Sequence, residues 1–392
     1  MSQTDLLKPL STPPTVMTAV LTGMTGLAVA MGIGRFAFTP LLPVMQQDVG
    51  LPLAQGSWLA TANYAGYLVG AAICMIVAIR PAWAIRWGML STAAFTLGMG
   101  LTSNFALWFA LRFLAGAASA FVLVGVSAWT MSILARRVEP GWSGPVFSGV
   151  GIGICLSGLI CLGAGAVALG SRATWILFGS IAALCTLLLW RRLAKDAGPV
   201  WSGGEPERGR LSGHAWLCVA CYGAFGYGYI IPATYLPALA REVIPDPSVF
   251  GWVWPALGAA AAISTAIAAR CLPRLSPRRL WAYSQLVLAI GVIVPICAAN
   301  LLALMIAALC VGGTFVVITM AGIQEARRLG GGHAARLIAM KTTAFAFGQI
   351  AGPLTVSLFH ESGLVVPSVI AASALVASSA SLGLSARSSG DT

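Results

Sequence analysis

About twelve apolar stretches, each long enough to cross a bilayer as a helix, follow one another along this chain with only short polar breaks. They lie near 16–40, 54–78, 84–103, 105–134, 143–169, 173–193, 215–240, 249–271, 279–299, 301–324, 336–359 and 363–385. A spanning helix needs about 20 mostly apolar residues. Backbone placed in lipid has only helices or closed barrels open to it, and continuous apolar runs rather than alternation select helices. Charged residues are 9% of the 392, against about 25% in soluble domains. The expected fold is an all-α membrane protein of about twelve spans with little left over for a soluble domain.

The net charge of +12 suggests nucleic acid until its placement is read. With the amino terminus in the cytoplasm, 18 of the 23 Lys and Arg fall on the cytoplasmic side and only Arg172 and Arg241 on the other. The remaining three lie inside apolar stretches. Such asymmetry is the positive-inside pattern. It predicts both termini in the cytoplasm, a bacterial inner membrane as the location, the lipid bilayer as surroundings and no nucleic-acid partner. The nine cysteines lie within or at the ends of apolar stretches, where a thiol behaves as a small hydrophobe. Cys218-Val-Ala-Cys221 has neither a second CxxC nor a His pair nearby, so packing is expected and no metal or cofactor. The first apolar run is too long, and too rich in Arg and Pro, for a cleaved signal peptide and reads as a retained anchor.

The chain looks like two copies of one half. Gly32, Gly34, Leu42, Pro43 and Trp58 recur as Gly226, Gly228, Leu236, Pro237 and Trp252, all at an offset of 194 residues. Six helices per half return the chain to the same side, so the repeats are parallel, about an axis along the membrane normal. The expected units are 1–193 and 215–392, each a six-helix bundle, joined by a polar cytoplasmic connector over 194–214.

Three cations interrupt the apolar runs: Arg35, Arg112 and Lys341. A cation at mid-bilayer costs roughly 2.5–3.5 kcal/mol on insertion scales. Such a residue faces a water-filled cavity, pairs with carbonyls or meets a ligand of opposite charge. Arg35 follows Gly32 and Gly34, which open space beside it, and precedes Pro40; its repeat equivalent is Tyr229, within a segment ending at Pro232. Repeat symmetry puts Arg35 and Tyr229 on opposite walls of a central path. Arg112 and Gly116 share a helical face at i, i+4, and either couples transport or bonds carbonyls of a neighbouring helix. Lys341 shares a face with Phe345, Gly348 and Gly352, with Gln349 at its edge and Pro353 following; it lines a cavity or snorkels to the surface. Asn63 and Tyr67, also i, i+4, offer neutral hydrogen bonds as a polar stripe. Gly149 and Gly153 belong to a glycine run without a preceding strand, so close helix packing explains it better than a dinucleotide loop.

Arg112-Phe-Leu-Ala-Gly116 resembles the fourth-helix RxxxG element of the major facilitator superfamily. Gly-Ile-Gly-Arg-Phe-Ala-Phe-Thr-Pro-Leu-Leu-Pro43 together with Gly223-Ala-Phe-Gly-Tyr-Gly-Tyr-Ile-Ile-Pro232 resembles its YbfB/YjiJ-like branch over the whole chain. That resemblance implies the two-bundle fold and a transport role and names no substrate. The superfamily's Gly-Pro of the fifth helix and the Asp of its second loop are missing here. Gating is therefore expected to rest on helix termini, since the loops around Arg80–Arg86 and Arg270–Arg279 carry bases only.

None of the eleven carboxylates falls deep in a predicted span, and the three histidines share no ligand spacing. No base–nucleophile pair or metal cluster is visible, which argues against an enzyme. Three interior cations without an acid attract anions. The expected function is secondary transport of a small organic anion or zwitterion by alternating access, proton-linked, in a monomer. Substrate contacts fall to Arg35, Arg112, Lys341, Tyr229, Asn63, Tyr67 and Gln349. Coupling falls to Arg112, Glu325 or the pair His360–Glu361, and helix packing to the glycines and prolines named above. Efflux of amphipathic compounds is the alternative within transport, and a non-transporting sensor or scaffold the alternative outside it.

Overall fold

The computed structural model describes residues 15–77, 79–137, 142–194, 212–244, 246–271, 275–330, 334–359 and 363–388. The long helices are α1 (Val16–Asp48), α2 (Leu53–Ile76), α3 (Pro81–Leu101), α4 (Phe105–Arg136), α5 (Ser143–Ala166) and α6 (Ser171–Ala194), then α7 (Gly213–Val243), α8 (Val253–Cys271), α9 (Pro277–Cys297), α10 (Leu301–Gly330), α11 (Ala334–Leu358) and α12 (Val365–Ser388). Among the described residues, nine of them are long and apolar enough to cross a membrane by length and composition. Large apolar side chains such as Leu184, Leu187 and Leu188 on α6 or Ile263 and Ile267 on α8 point outward, as a lipid-facing surface requires. The protein is a multi-pass membrane protein.

Local chemistry sets where the helices start. Thr15 Oγ1 accepts from Thr18 N at 3.2 Å at the head of α1, and Asn104 Oδ1 from Leu107 N at 3.1 Å at the head of α4. Asn300 does the same for Ala303 N at 2.9 Å at the head of α10. Each cap satisfies an N–H that the helix itself cannot. The start of α6 is capped from a distance, since Asp48 at the end of α1 accepts from Ser171 N and Oγ.

α1 departs from expectation. Its predicted span stopped at residue 40, yet the helix continues to Asp48 through Pro43. Ala28–Phe36 winds as a π-helix before the α-helical register resumes at Phe38. Pro40 then falls in the first turn of the resumed helix, where an N–H has no acceptor in the preceding turn to lose.

Helix pairing repeats with a step of six. α1 packs on α5, α2 on α4, α3 on α4 and α3 on α6; likewise α7 packs on α11, α8 on α10, α9 on α10 and α9 on α12. The sequence halves meet mainly along α5–α8 and α2–α11, pairs that exchange under the same step. Glycines allow these approaches. A side chain at Gly153 would run into the backbone of Ala28 and Gly32 on α1, and one at Gly149 into that of Met24. From another face of α5, Gly151 lies against the backbone of Gly258, Ala261 and Ala262 on α8. Gly116 sits on the backbone of Asn63 and Tyr67, and Gly226 on that of Phe345. The glycine run of α5 is therefore a two-sided packing surface.

Candidate functional site

The π-turn in α1 carries Arg35 into the seam between the halves, where its side chain is 2% exposed. Its Nη2 donates to Gln349 Oε1 of α11 at 2.5 Å, a bond between residues 314 apart in sequence. The guanidinium lies 4.1 Å from the ring centroid of Tyr67 and 5.5 Å from that of Tyr64, both on α2, and 5.4 Å from Phe36. Aromatic faces stabilise a cation without neutralising it. Nε and Nη1 of Arg35 remain buried without a hydrogen-bond partner of sound geometry, and so does Nε2 of Gln349. Arg35 lines a cavity of about 40 Å³, whose wall also includes Tyr67, Tyr229, Phe315, Thr319 and Phe345; Gln349 is tied to it only through its hydrogen bond to Arg35. Ligand pockets usually measure about 300–1,000 Å³, so the site is closed in this conformation.

Arg112 serves α1 instead of the cavity. Its Nη1 donates to Gly34 O and its Nη2 to Arg35 O, each at 3.1 Å, and its guanidinium lies 4.8 Å from the Phe38 ring centroid. Asn63 Nδ2 reinforces the same place, donating to Gly34 O at 3.3 Å and Arg112 O at 2.9 Å. Of the two sequence readings of Arg112, carbonyl bonding is the one its geometry fits. Its effect is to hold the turn that presents Arg35. Asn63 likewise faces backbone, while Tyr67, one turn on, faces the cavity.

Lys341 does not snorkel. It is 2% exposed, donates to Gly322 O of α10 at 2.5 Å and lies between the faces of Tyr222 and Trp281, 4.7 and 4.3 Å from their centroids. It borders a second cavity of about 40 Å³, which shares Tyr67, Leu123 and Phe345 with the first. Among the described residues no carboxylate lies within ion-pair distance of Arg35, Arg112 or Lys341.

Glu325 lies near the end of α10 and is fully buried, bound by Arg278 of α9 through Nη2 at 2.7 Å and Nε at 2.8 Å. Arg328 adds Nε at 3.3 Å, and Arg278 Nη1 reaches Ser385 O of α12 at 3.1 Å. Arg278 is therefore a fourth buried cation, 1% exposed, and the all-basic loop 270–279 finds its acid on another helix. Sequence spacing hides this pair because its partners lie 47 residues apart. Two bases on one carboxylate, with a further bond to α12, make a clasp between α9, α10 and α12. His360 and Glu361 lie outside the described residues.

The structure thus brings Arg35, Tyr67 and Tyr229 to one cavity, puts Lys341 at the next, and leaves Gln349, bonded to Arg35, together with Arg112, Asn63 and Glu325 outside both linings. Tyr64, Tyr222, Trp281 and Phe315 escaped sequence reasoning. A stripe at 222, 225 and 229, one face of a helix at i, i+3, i+7, was the available signal for Tyr222.

Among known proteins, the family profile described as "Uncharacterised MFS-type transporter YbfB" matches residues 27–382. No curated protein matches the chain.

Proposed function

Because the chain belongs to the uncharacterised MFS-type transporter family of YbfB, a family that moves small molecules across membranes, we propose that it carries a small organic anion or zwitterion. Arg35 is the anchor. The observation that supports this is a buried guanidinium that bonds Gln349 from the other half of the chain and, among the described residues, keeps Nε and Nη1 without a partner of good geometry. A carboxylate satisfies those donors bidentately, as arginine's planar fork favours. Tyr67 and Tyr229 form the walls, and Lys341 adds positive potential one cavity away.

The working arrangement is twelve spans in two six-helix bundles, 1–193 and 215–392, rocking about α5–α8 and α2–α11 with the substrate held between them. The cycle is proton-linked in a monomer of the bacterial inner membrane, both termini cytoplasmic. The shared step of six in helix pairing supports the two-bundle division. Efflux of amphipathic compounds is the second reading, favoured by the aromatic lining.

Thermal unfolding of the purified protein with a panel of carboxylates, amino acids and amphipathic cations tests the proposal, followed by flux in proteoliposomes. Carboxylates are expected to raise the unfolding temperature of the wild type and to leave that of Arg35→Ala unchanged. Arg35→Lys should bind weakly, since a point charge cannot reproduce the fork. Full flux of the identified substrate by Arg35→Ala would remove the anchor assignment, and stabilisation by the cations alone would favour the efflux reading.

A further inference from the structure

The cavity beside Arg35 holds more aromatic surface than recognition of charge requires. Tyr229 stacks on Phe315 with ring centroids 5.0 Å apart and planes 16° apart, and on Phe345 at 6.1 Å and 20°. All three rings share the cavity wall with the guanidinium. Phe345 also borders the Lys341 cavity, where Tyr222 lies at 5.5 Å from it. Ring faces therefore continue from one cation to the other, on helices from the second half, opposite Arg35 and Tyr67. An aliphatic carboxylate gains only area from such a wall. An arene adds offset stacking or edge-to-face contact with near-parallel rings already aligned to receive it.

We infer that the substrate is an aromatic carboxylate. This rests on the reading of Arg35 as a carboxylate anchor and adds the part of the ligand that the anchor does not see. The carboxylate takes Nε and Nη1 of Arg35, with Gln349 Nε2 as a third donor. The ring lies against Tyr229 and Phe345, and opening of the seam between the halves supplies the volume that the closed cavity lacks. Lys341, at the far end of the ring path, attracts the anion as it moves on.

Paired probes that differ only in the ring test this. Benzoate, phenylacetate and 3-phenylpropionate are titrated calorimetrically into the full chain in detergent, each against its cyclohexyl counterpart, with acetate as the carboxylate alone. At least one aromatic member is expected to bind roughly three- to tenfold more tightly than its saturated partner, the range that aromatic pairing contributes beyond area. Phe345→Leu should bring that ratio close to one, whatever it does to the affinity of both members, and Tyr229→Phe, which keeps the ring, should preserve it. Equal binding of saturated and aromatic partners, or tightest binding of acetate, would overturn the inference while leaving the anion site standing. Absence of binding by every carboxylate to protein that unfolds cooperatively would overturn the anchor itself. Should Phe345→Leu fail to fold, the ratio measured on the wild type still decides.

Discussion

Arg112 gives two of its nitrogens to the backbone of α1, whereas Arg35 keeps two of its own unmatched. Their substitutions should therefore fail differently. Arg112→Ala removes the side-chain donor to the buried Arg35 carbonyl and leaves Gly34 O to Asn63 alone, at about 1–3 kcal/mol for an unsatisfied group. The expected result is a lower unfolding temperature and a lower folded yield by fluorescence size-exclusion chromatography, with Arg112→Lys recovering little. A wild-type unfolding profile with flux abolished would instead make Arg112 a substrate ligand. Gln349→Glu has the opposite sign. A carboxylate at that position replaces the neutral acceptor of Arg35 with an ionised one, which adds direct charge pairing, and occupies the place a ligand would take. The variant should unfold at a higher temperature than wild type and lose any carboxylate-induced shift; a retained shift would mean that ligands bind elsewhere. Arg35 was legible in the sequence because a cation stands out in an apolar run. Tyr64, Phe315 and Trp281 were not, since an aromatic side chain in a membrane helix looks the same whether it faces lipid, core or cavity. The burial of Glu325 was not legible either, because its partner, Arg278, lies on another helix and only packing brings them together.

Within α1, glycine and proline act together. Gly32 lies against Gly153 of α5 and Gly34 against Thr92 of α3, so neighbouring helices confine the π-turn on two sides while Arg112 holds its carbonyls from a third. The same logic separates glycines that permit contact from glycines that merely occupy helix. At Gly153 a methyl group would meet the backbone of Ala28 and Gly32, whereas at Gly163 nothing lies within reach. Gly153→Ala should destabilise by about 1–3 kcal/mol, the usual range for overpacking, and Gly163→Ala should be neutral or stabilise by up to about 1 kcal/mol through lower backbone entropy in the unfolded chain. Unfolding temperatures measured side by side check the pair, and equal effects would mean that α1 and α5 are not held as closely as described. Helix existence was readable from hydropathy for every long run. Helix ends were less so, because Pro43 looks like a stop in one dimension while the cover of neighbouring helices lets α1 run on to Asp48.

For the whole molecule, closure between the halves has identifiable fastenings. Arg241 of α7 donates to Pro43 O of α1 at 3.3 Å, Tyr64 of α2 shares a hydrogen bond of 3.0 Å with Thr234 of α7, and Arg35 of α1 donates to Gln349 of α11. Helix pairing with a step of six was foreseeable from the repeat of Gly32, Gly34 and Trp58, because internal duplication carries its contacts with it; the fastenings were not, because they join positions that the repeat does not relate. Orientation remains a matter of charge placement. A cysteine introduced at Ser202, in a background without accessible native thiols, should resist membrane-impermeant reagent in sealed right-side-out vesicles, and strong labelling would invert the topology. The coupling ion follows from the same inventory. Proton-driven carriers commonly use a buried carboxylate, yet Glu325 is held by Arg278 and Arg328. The proposed route that remains is the substrate's own protonation, since a protonated acid carries its proton across with it. With the carboxylate that stabilises the purified protein, an imposed pH gradient at clamped voltage should drive accumulation in proteoliposomes, and Glu325→Gln should lower stability more than it alters that pH response. Accumulation that ignores the gradient and follows substrate concentration alone would reject proton coupling and leave a uniporter; a pH response abolished by Glu325→Gln in folded protein would return the proton to Glu325.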